Sequence, residues 1–283
     1  MKDYLKLIRV KHYLKNLLIF FPLFFSSNLF NVELLIKTIL AFLSFCFACS
    51  IIYIINDIND KDKDKLHEKK KHRPIASGKI SIKKAYATVF VLCLLSIICF
   101  IMSKADIKIA IYTLIYIVIN LFYSFGLKNI PLIDISILVS GFLIRVLYGG
   151  AIIDVEVSNW LYLTVISMAF YLVIGKRRNE ITNSKKETRK VLKYYTKEFL
   201  DKNMYMCLSL AIVFYSLWTM DYNKGESLLI WTVPIVILIC MKYSMTIEIG
   251  GDGDPIEVVY GDKMLLSLII LYGISLVSFI YLF

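Results

Sequence analysis

Asn56-Asp57-Ile58-Asn59-Asp60-Lys61-Asp62-Lys63-Asp64, followed by Lys71-His72-Arg73-Pro74-Ile75-Ala76-Ser77-Gly78-Lys79, separates an apolar run at 34–55 from another at 85–102. A bilayer takes roughly 20 apolar residues per helical crossing, so this polar stretch reads as the link between two membrane helices. Asn56, Asp60 and Asp64 recur every four residues and stack on one helix face, with Asp57 beside them. Four carboxylates within eight residues repel one another unless a cation sits among them. Carboxylate oxygens that leave room for substrate phosphates suit Mg²⁺, and the Lys and Arg residues just beyond can hold further phosphate oxygens. A charged loop that merely caps a helix has no need of a four-residue acid period. The stretch reads as a metal–diphosphate site at a membrane surface.

The rest of the chain is of membrane type. Its apolar fraction is 58% and its mean hydropathy +0.68, whereas soluble domains run at roughly 45–50% apolar. The net charge of +11 brings nucleic acid to mind, but no interleaved aromatic and basic pattern of an RNA- or DNA-binding module is present. In a membrane protein Lys and Arg gather in cytoplasmic loops instead. All six cysteines, at 46, 49, 93, 99, 207 and 240, lie inside apolar runs without disulfide or zinc spacing. The first residues offer no small-residue cleavage site, so the apolar stretch there reads as a retained helix.

Residues 1–16 interleave Lys2, Lys6, Arg9, Lys11 and Lys15 with apolar and aromatic side chains, a pattern suited to an anionic leaflet. Nine spans follow, at about 13–28, 33–55, 82–103, 107–125, 132–153, 159–175, 204–221, 227–248 and 263–283. Of the 33 Lys and Arg, 27 fall in 1–16, 56–84, 126–130, 176–203 and 250–263, and four on the opposite side. Arg145 and Lys242 lie within spans. This asymmetry predicts a cytoplasmic N-terminus and puts the acidic motif on the cytoplasmic side.

Three further places carry chemistry. Arg145 sits near the middle of the fifth span, where an unpaired charge costs at least a few kcal/mol, so it must face a polar cavity or a partner. Asp134, on the same helix, would lie at that cavity's rim. Lys176, Arg177 and Glu180 begin directly at the membrane boundary, followed by a long polar loop to 203 in which Tyr194, Tyr195, Phe199 and Leu200 are spaced as one interfacial face. The Gly-rich, acidic segment 250–257 reads either as a turn or as backbone that approaches a ligand closely.

These residues together resemble the UbiA-type prenyltransferase superfamily, through Asn56-Asp57-x-x-Asp60-x-x-x-Asp64 and the membrane pattern. Other matches resemble its decaprenyl-phosphate phosphoribosyltransferase branch. They are Arg9 with Lys15-Asn16, His67 with His72-Arg73-Pro74-Ile75-Ala76-x-Gly78, and Tyr123-Ser124-x-x-Leu127-Lys128. Gly141-Phe142-x-x-Arg145, Gly175-Lys176-Arg177-Arg178-x-Glu180, and Gly253-Asp254-Pro255-x-Glu257-Val258-Val259 continue the series in order along nearly the whole chain. One departure is Glu68 after His67, where the branch usually has proline. Aromatic prenyltransferases of the superfamily carry a second Asp-x-x-x-Asp after the sixth span, where this chain has Lys176-Arg177-Arg178-Asn179-Glu180.

The resemblance implies an all-α polytopic fold, one domain over 1–283 with nine transmembrane helices around a cavity open to the cytoplasm, in a bacterial cytoplasmic membrane. It implies transfer of 5-phosphoribosyl from phosphoribosyl pyrophosphate to a polyprenyl phosphate, with Mg²⁺. Asp57, Asp60 and Asp64 would hold the metal, oriented by Asn56. Lys71, Arg73, Lys128, Arg145, Lys176 and Arg177 are candidates for the remaining phosphates, with Tyr123, Glu180, Asp254 and Glu257 completing the set. Two alternatives stay open: a prenyltransferase acting on an aromatic or other small acceptor, and a transporter or lipid-binding protein. Broken spans and paired midplane charges would mark the last.

Overall fold

The computed structural model describes residues 2–66, 70–183, 189–222, 228–248 and 255–282. Every element among them is helical. In chain order the α-helices are α1 (Lys2–Leu7), α2 (Phe21–Phe25), α3 (Val32–Asn59), α4 (Lys61–Lys65), α5 (Ile82–Met102) and α6 (Ala110–Phe125). They continue as α7 (Ile133–Ile153), α8 (Asn159–Asn183), α9 (Lys197–Asp221), α10 (Val233–Glu248), α11 (Pro255–Gly261) and α12 (Lys263–Tyr281). The starts are legible in the sequence, because short polar side chains accept from the otherwise unpaired first-turn N–H groups. Asn31 does so for α3, Ser81 for α5, Thr196 for α9 and Asp262 for α12.

Eight helical segments among the described residues are long and apolar enough to cross a membrane. They match eight of the nine expected spans. The expected first span, 13–28, takes another form: a 3-10 helix over Val10–Phe20 running into the five-residue α2. The 3-10 helix starts at Arg9, whose backbone is left-handed (φ 54°), and α2 has Pro22 in its first turn. The count of nine is therefore not what the described helices provide.

A second difference concerns 176–203, expected to be a loop. Here α8 continues to Asn183, and α9 already begins at Lys197. Beyond the apolar run Arg177 pairs with Glu180 one turn on in the same helix, which supports the helix past the point where hydropathy falls. The expected common face of Tyr194, Tyr195, Phe199 and Leu200 is broken by the α9 start. Leu200 and Tyr195 are buried, whereas Tyr194 and Phe199 are exposed.

The chain divides into two compact units, 1–125 with 144–156, and 126–143 with 157–283. In the first, α3 packs on α5, α6 and the 3-10 helix. Ser44 and Ser96 lock α3 to α5 reciprocally, each hydroxyl donating to the other's backbone carbonyl at 2.8 and 2.9 Å. Apolar packing around Ile19, Phe45, Tyr116 and Tyr148 forms this unit's main core. A smaller core, around Leu7, Ile54 and Ile75, lies beneath the acidic motif's helix end. In the second unit α8 and α9 form the principal pair, joined by α10, α11 and α12. Their core gathers Tyr171, Leu200, Met204, Tyr243 and Leu265.

Candidate active site

The acidic motif does not ride one straight helix. Asp60 ends α3 and starts α4 with non-helical torsions (φ −91°, ψ 6°), leaving Asp57 in the last turn of α3 and Asp64 in α4. Both are almost fully buried, 2% and 3% exposed. Asp60 and Asn56 are half-buried beside them. Burying carboxylates at a helix C-terminus sets them against the negative end of the helix dipole, and the chain answers with two guanidinium groups. Arg73 Nη1 donates to Asp57 Oδ1 at 2.9 Å and to Asp64 Oδ2 at 2.7 Å. Arg9 Nη2 donates to the same Asp57 oxygen at 2.5 Å.

Each arginine is placed by its neighbours. Arg73 follows a short 3-10 turn, Lys70–His72, and precedes Pro74, Ile75 and Ala76, which are buried and pin the backbone. Arg9 stacks over the Tyr53 ring at 4.8 Å. The Ser50 hydroxyl accepts or donates with Tyr13 and donates to the Ile8 carbonyl, fastening this N-terminal segment to α3. Sequence reasoning missed Arg9 as a site residue. Its place in the Arg9…Lys15-Asn16 match was the available signal.

The fit to a divalent cation can be judged from this arrangement. Among the described residues no group of three His, Cys, Asp or Glu side chains is close enough to hold a metal ion. Mg²⁺, however, is usually held by only one or two carboxylates together with substrate phosphates and water. Asp57 and Asp64 converge on a single cationic nitrogen, Arg73 Nη1. The donor set is all oxygen. The two carboxylates fit Mg²⁺.

Arg145, 5% exposed, has a different setting within the same unit. Its Nε donates to Asn16 Oδ1 at 2.7 Å and its Nη2 to the Tyr116 hydroxyl at 3.0 Å. The guanidinium also lies over the Tyr116 and Phe45 rings, at 4.8 and 5.5 Å. These contacts satisfy the mid-span charge with neutral acceptors and π faces. Asp134, expected at the rim of the same cavity, has other partners.

Those partners make up the second unit's polar cluster. Arg177 is fully enclosed, its Nε donating to Asp134 Oδ2 at 2.7 Å and its Nη1 to Glu180 Oε2 at 3.0 Å. Arg189 Nε reaches the same Glu180 oxygen at 3.3 Å. Tyr195 donates to Asp134 Oδ1 at 2.6 Å and accepts from the Leu132 N–H at 2.7 Å, holding Leu132 in a left-handed conformation (φ 65°). Burial, with the Asp134 carboxylate, pushes the Tyr195 phenol up to about 12, so it stays a donor throughout the physiological range. Arg178 pairs with Asp201. The cationic run 176–178, read from sequence as facing phosphate, thus commits both arginines to carboxylates. Neither Arg189 nor Tyr195 was nominated, because nothing in their spacing points at Asp134.

The remaining candidates are placed as follows. Lys71 is exposed in the 3-10 turn before Arg73. Tyr123 is half-buried near the end of α6, and Lys128 is half-buried in a 3-10 turn over Leu127–Asn129. Lys176 is half-buried on α8, and Glu257 is exposed in α11. Asp254 lies outside the described residues, as does most of the Gly-rich segment.

Comparison with known proteins agrees with this picture at the level of family. The chain is 32% identical to a decaprenyl-phosphate phosphoribosyltransferase of Corynebacterium glutamicum, over 98% of this chain and 86% of that one. A protein of the same name from Mycolicibacterium smegmatis is 30% identical, over 92% and 87%. The fold is shared with a UbiA homolog from Archaeoglobus fulgidus bound to DMAPP and Mg²⁺, at a TM-score of 0.72, 22% identity, and coverage of 98% and 99%. The description of residues 18–269 as UbiA prenyltransferase family covers most of this all-helical, membrane-integral chain, which belongs to the UbiA prenyltransferase family.

Proposed function

We propose that this protein transfers a 5-phosphoribosyl group from phosphoribosyl pyrophosphate to a polyprenyl phosphate, releasing pyrophosphate, at the cytoplasmic face of the membrane. The observation that carries the reading is similarity over almost the full length to relatives bearing that activity in their names. The carboxylates of Asp57, in the last turn of α3, and Asp64, in α4, are a matching place for the pyrophosphate end of the donor. The C1–O bond to pyrophosphate breaks with its electron pair leaving on pyrophosphate, and a lipid phosphate oxygen supplies the pair of the new C1–O bond. That acceptor is already an anion, so no side chain has to remove a proton.

Asp57 and Asp64, with Asp60 beside them and Asn56 orienting, would hold Mg²⁺. When bound, it supplies neutralisation of the charge that builds on the leaving group. Lys71, Lys128, Lys176 and Arg145 are the proposed cations for the other phosphates, and Tyr123, Asp254 and Glu257 the further substrate contacts. Arg177 is assigned a positioning role through Asp134 and Glu180, since a substrate phosphate would have to displace a buried ion pair to reach it.

The test is donor choice. Membranes containing the protein, given labelled phosphoribosyl pyrophosphate and a polyprenyl phosphate, should yield a labelled lipid and one pyrophosphate per transfer. Asp64→Asn should lose at least ~100-fold of that rate, on the scale of losing a preorganised charge-stabilising group. Turnover of a prenyl diphosphate with an aromatic acceptor, and none with phosphoribosyl pyrophosphate, would replace this reading by the aromatic prenyltransferase one.

A further inference from the structure

Asp57 and Asp64 carry their own counter-ion. Arg73 Nη1 is 2.9 and 2.7 Å from the two carboxylates, whereas Mg²⁺ binds oxygen at roughly 2.0–2.1 Å. An ion shared by those two oxygens and the present guanidinium would overlap, so one must leave for the other to enter. The backbone around Arg73 is held: its N–H donates to the Lys70 carbonyl at 2.9 Å and its carbonyl accepts from Ser77 N–H at 2.8 Å. Ile75, two residues on, is anchored in the apolar core with Leu7 and Ile54. The Arg73 side chain is 26% exposed, on a flexible stem that can turn without moving that anchor. Arg9 differs, being only 18% exposed and stacked on Tyr53, and it can stay on Asp57 while Arg73 moves.

We propose that Arg73 is a built-in competitor for the metal. Without ligand it neutralises Asp57 and Asp64 and keeps a bare divalent cation out. When the cation arrives carrying a diphosphate, Arg73 exchanges its carboxylates for the new anion beside them. Metal and diphosphate then bind together, and each binds poorly alone. Arg73 donates two charge-assisted hydrogen bonds to the carboxylates, and a diphosphate offers oxygens that accept the same donors. Coupling of this kind is reciprocal, since each ligand strengthens the other by the same factor. The inference rests on reading Asp57 and Asp64 as the metal carboxylates.

The test uses full-length protein in detergent and two binding measurements that need no turnover. Bare Mn²⁺ is titrated by the electron paramagnetic resonance signal of the free ion. Labelled pyrophosphate is measured by equilibrium dialysis at saturating Mn²⁺. Arg73→Ala and Arg73→Gln should bind bare Mn²⁺ at least tenfold more tightly than the unaltered protein, and pyrophosphate with Mn²⁺ at least tenfold more weakly. The Gln variant keeps a donor without the charge and guards against loss of folding in the Ala one. A purely structural Arg73, or one acting only as a phosphate ligand, leaves bare Mn²⁺ affinity unchanged or weaker, and that result overturns the proposal. Asp57→Asn and Asp64→Asn separate the two claims. If they abolish Mn²⁺ binding while Arg73 variants fail to strengthen it, the competition alone is wrong. If they leave Mn²⁺ binding untouched, the metal site itself is misassigned and the proposal falls with it.

Discussion

Arg145 and Arg177 are both buried arginines, and their surroundings differ in kind. Arg177 meets the carboxylates of Asp134 and Glu180 with no solvent exposure at the Arg177–Asp134 contact. Arg145 meets the Asn16 carbonyl, a phenol and two ring faces. The consequence for Arg177 is measurable. Arg177→Ala leaves the fully buried Asp134 without its main cation, and breaking a buried pair in this way costs about 3–5 kcal/mol. Unfolding in detergent micelles should show that loss, and Arg177→Met with Asp134→Asn should recover part of it. If Arg177→Ala instead keeps its stability and loses only substrate affinity, Arg177 serves a phosphate. The sequence marked Arg145 as a charge costly in mid-span and Arg177 as a cation at the membrane boundary. It did not say what either one faces.

At the scale of the elements, the 3-10 helix Val10–Phe20 is held where it is by close approach to α7. A Cβ built on Gly149 would lie 2.1 Å from the Ile19 carbonyl oxygen and 2.9 Å from its carbonyl carbon. Backbone atoms cannot yield as a side-chain tip does, so the 3-10 helix must shift. Gly149→Ala should cost about 1–3 kcal/mol, the scale of overpacking. It should also loosen the Arg145–Asn16 bond that ties the same two elements, which amide exchange over residues 10–20 would register as faster. Unchanged stability and exchange would mean that the contact is not tight. Asn31, Ser81 and Asp262 cap the starts of α3, α5 and α12, since capping is a matter of a few neighbouring residues. The C-terminal turns of α3 and α8 run past the apolar stretches because charged side chains there find partners, Asp57 in Arg9 and Arg73, Arg177 in Glu180.

For the whole molecule, orientation in the membrane is the property on which access of a water-soluble donor depends. The charge asymmetry of 27 Lys and Arg against four is expected to hold the acidic motif and the 176–203 region in the cytoplasm. Ser77→Cys and Lys193→Cys, both at exposed positions, should resist an impermeant thiol reagent on intact cells and react after permeabilisation. Labelling from outside reverses the orientation. By itself the sequence determined the membrane-spanning, all-helical architecture, the family, and the position of an acid cluster at a helix end. The spans and the acid cluster follow from hydropathy and spacing, which are properties of nearby residues, and the family from the resemblance its motifs carry along the chain. Only the tertiary structure decided which partner answers each arginine. Arg9 reaches Asp57 across 48 positions, Arg177 reaches Asp134 across 43, and Arg145 finds Asn16 across 129. A guanidinium aimed at a carboxylate and one aimed at a substrate phosphate have the same sequence signature. They are told apart by where packed helices bring their ends, because charge pairing falls off with distance in space and takes no account of distance along the chain.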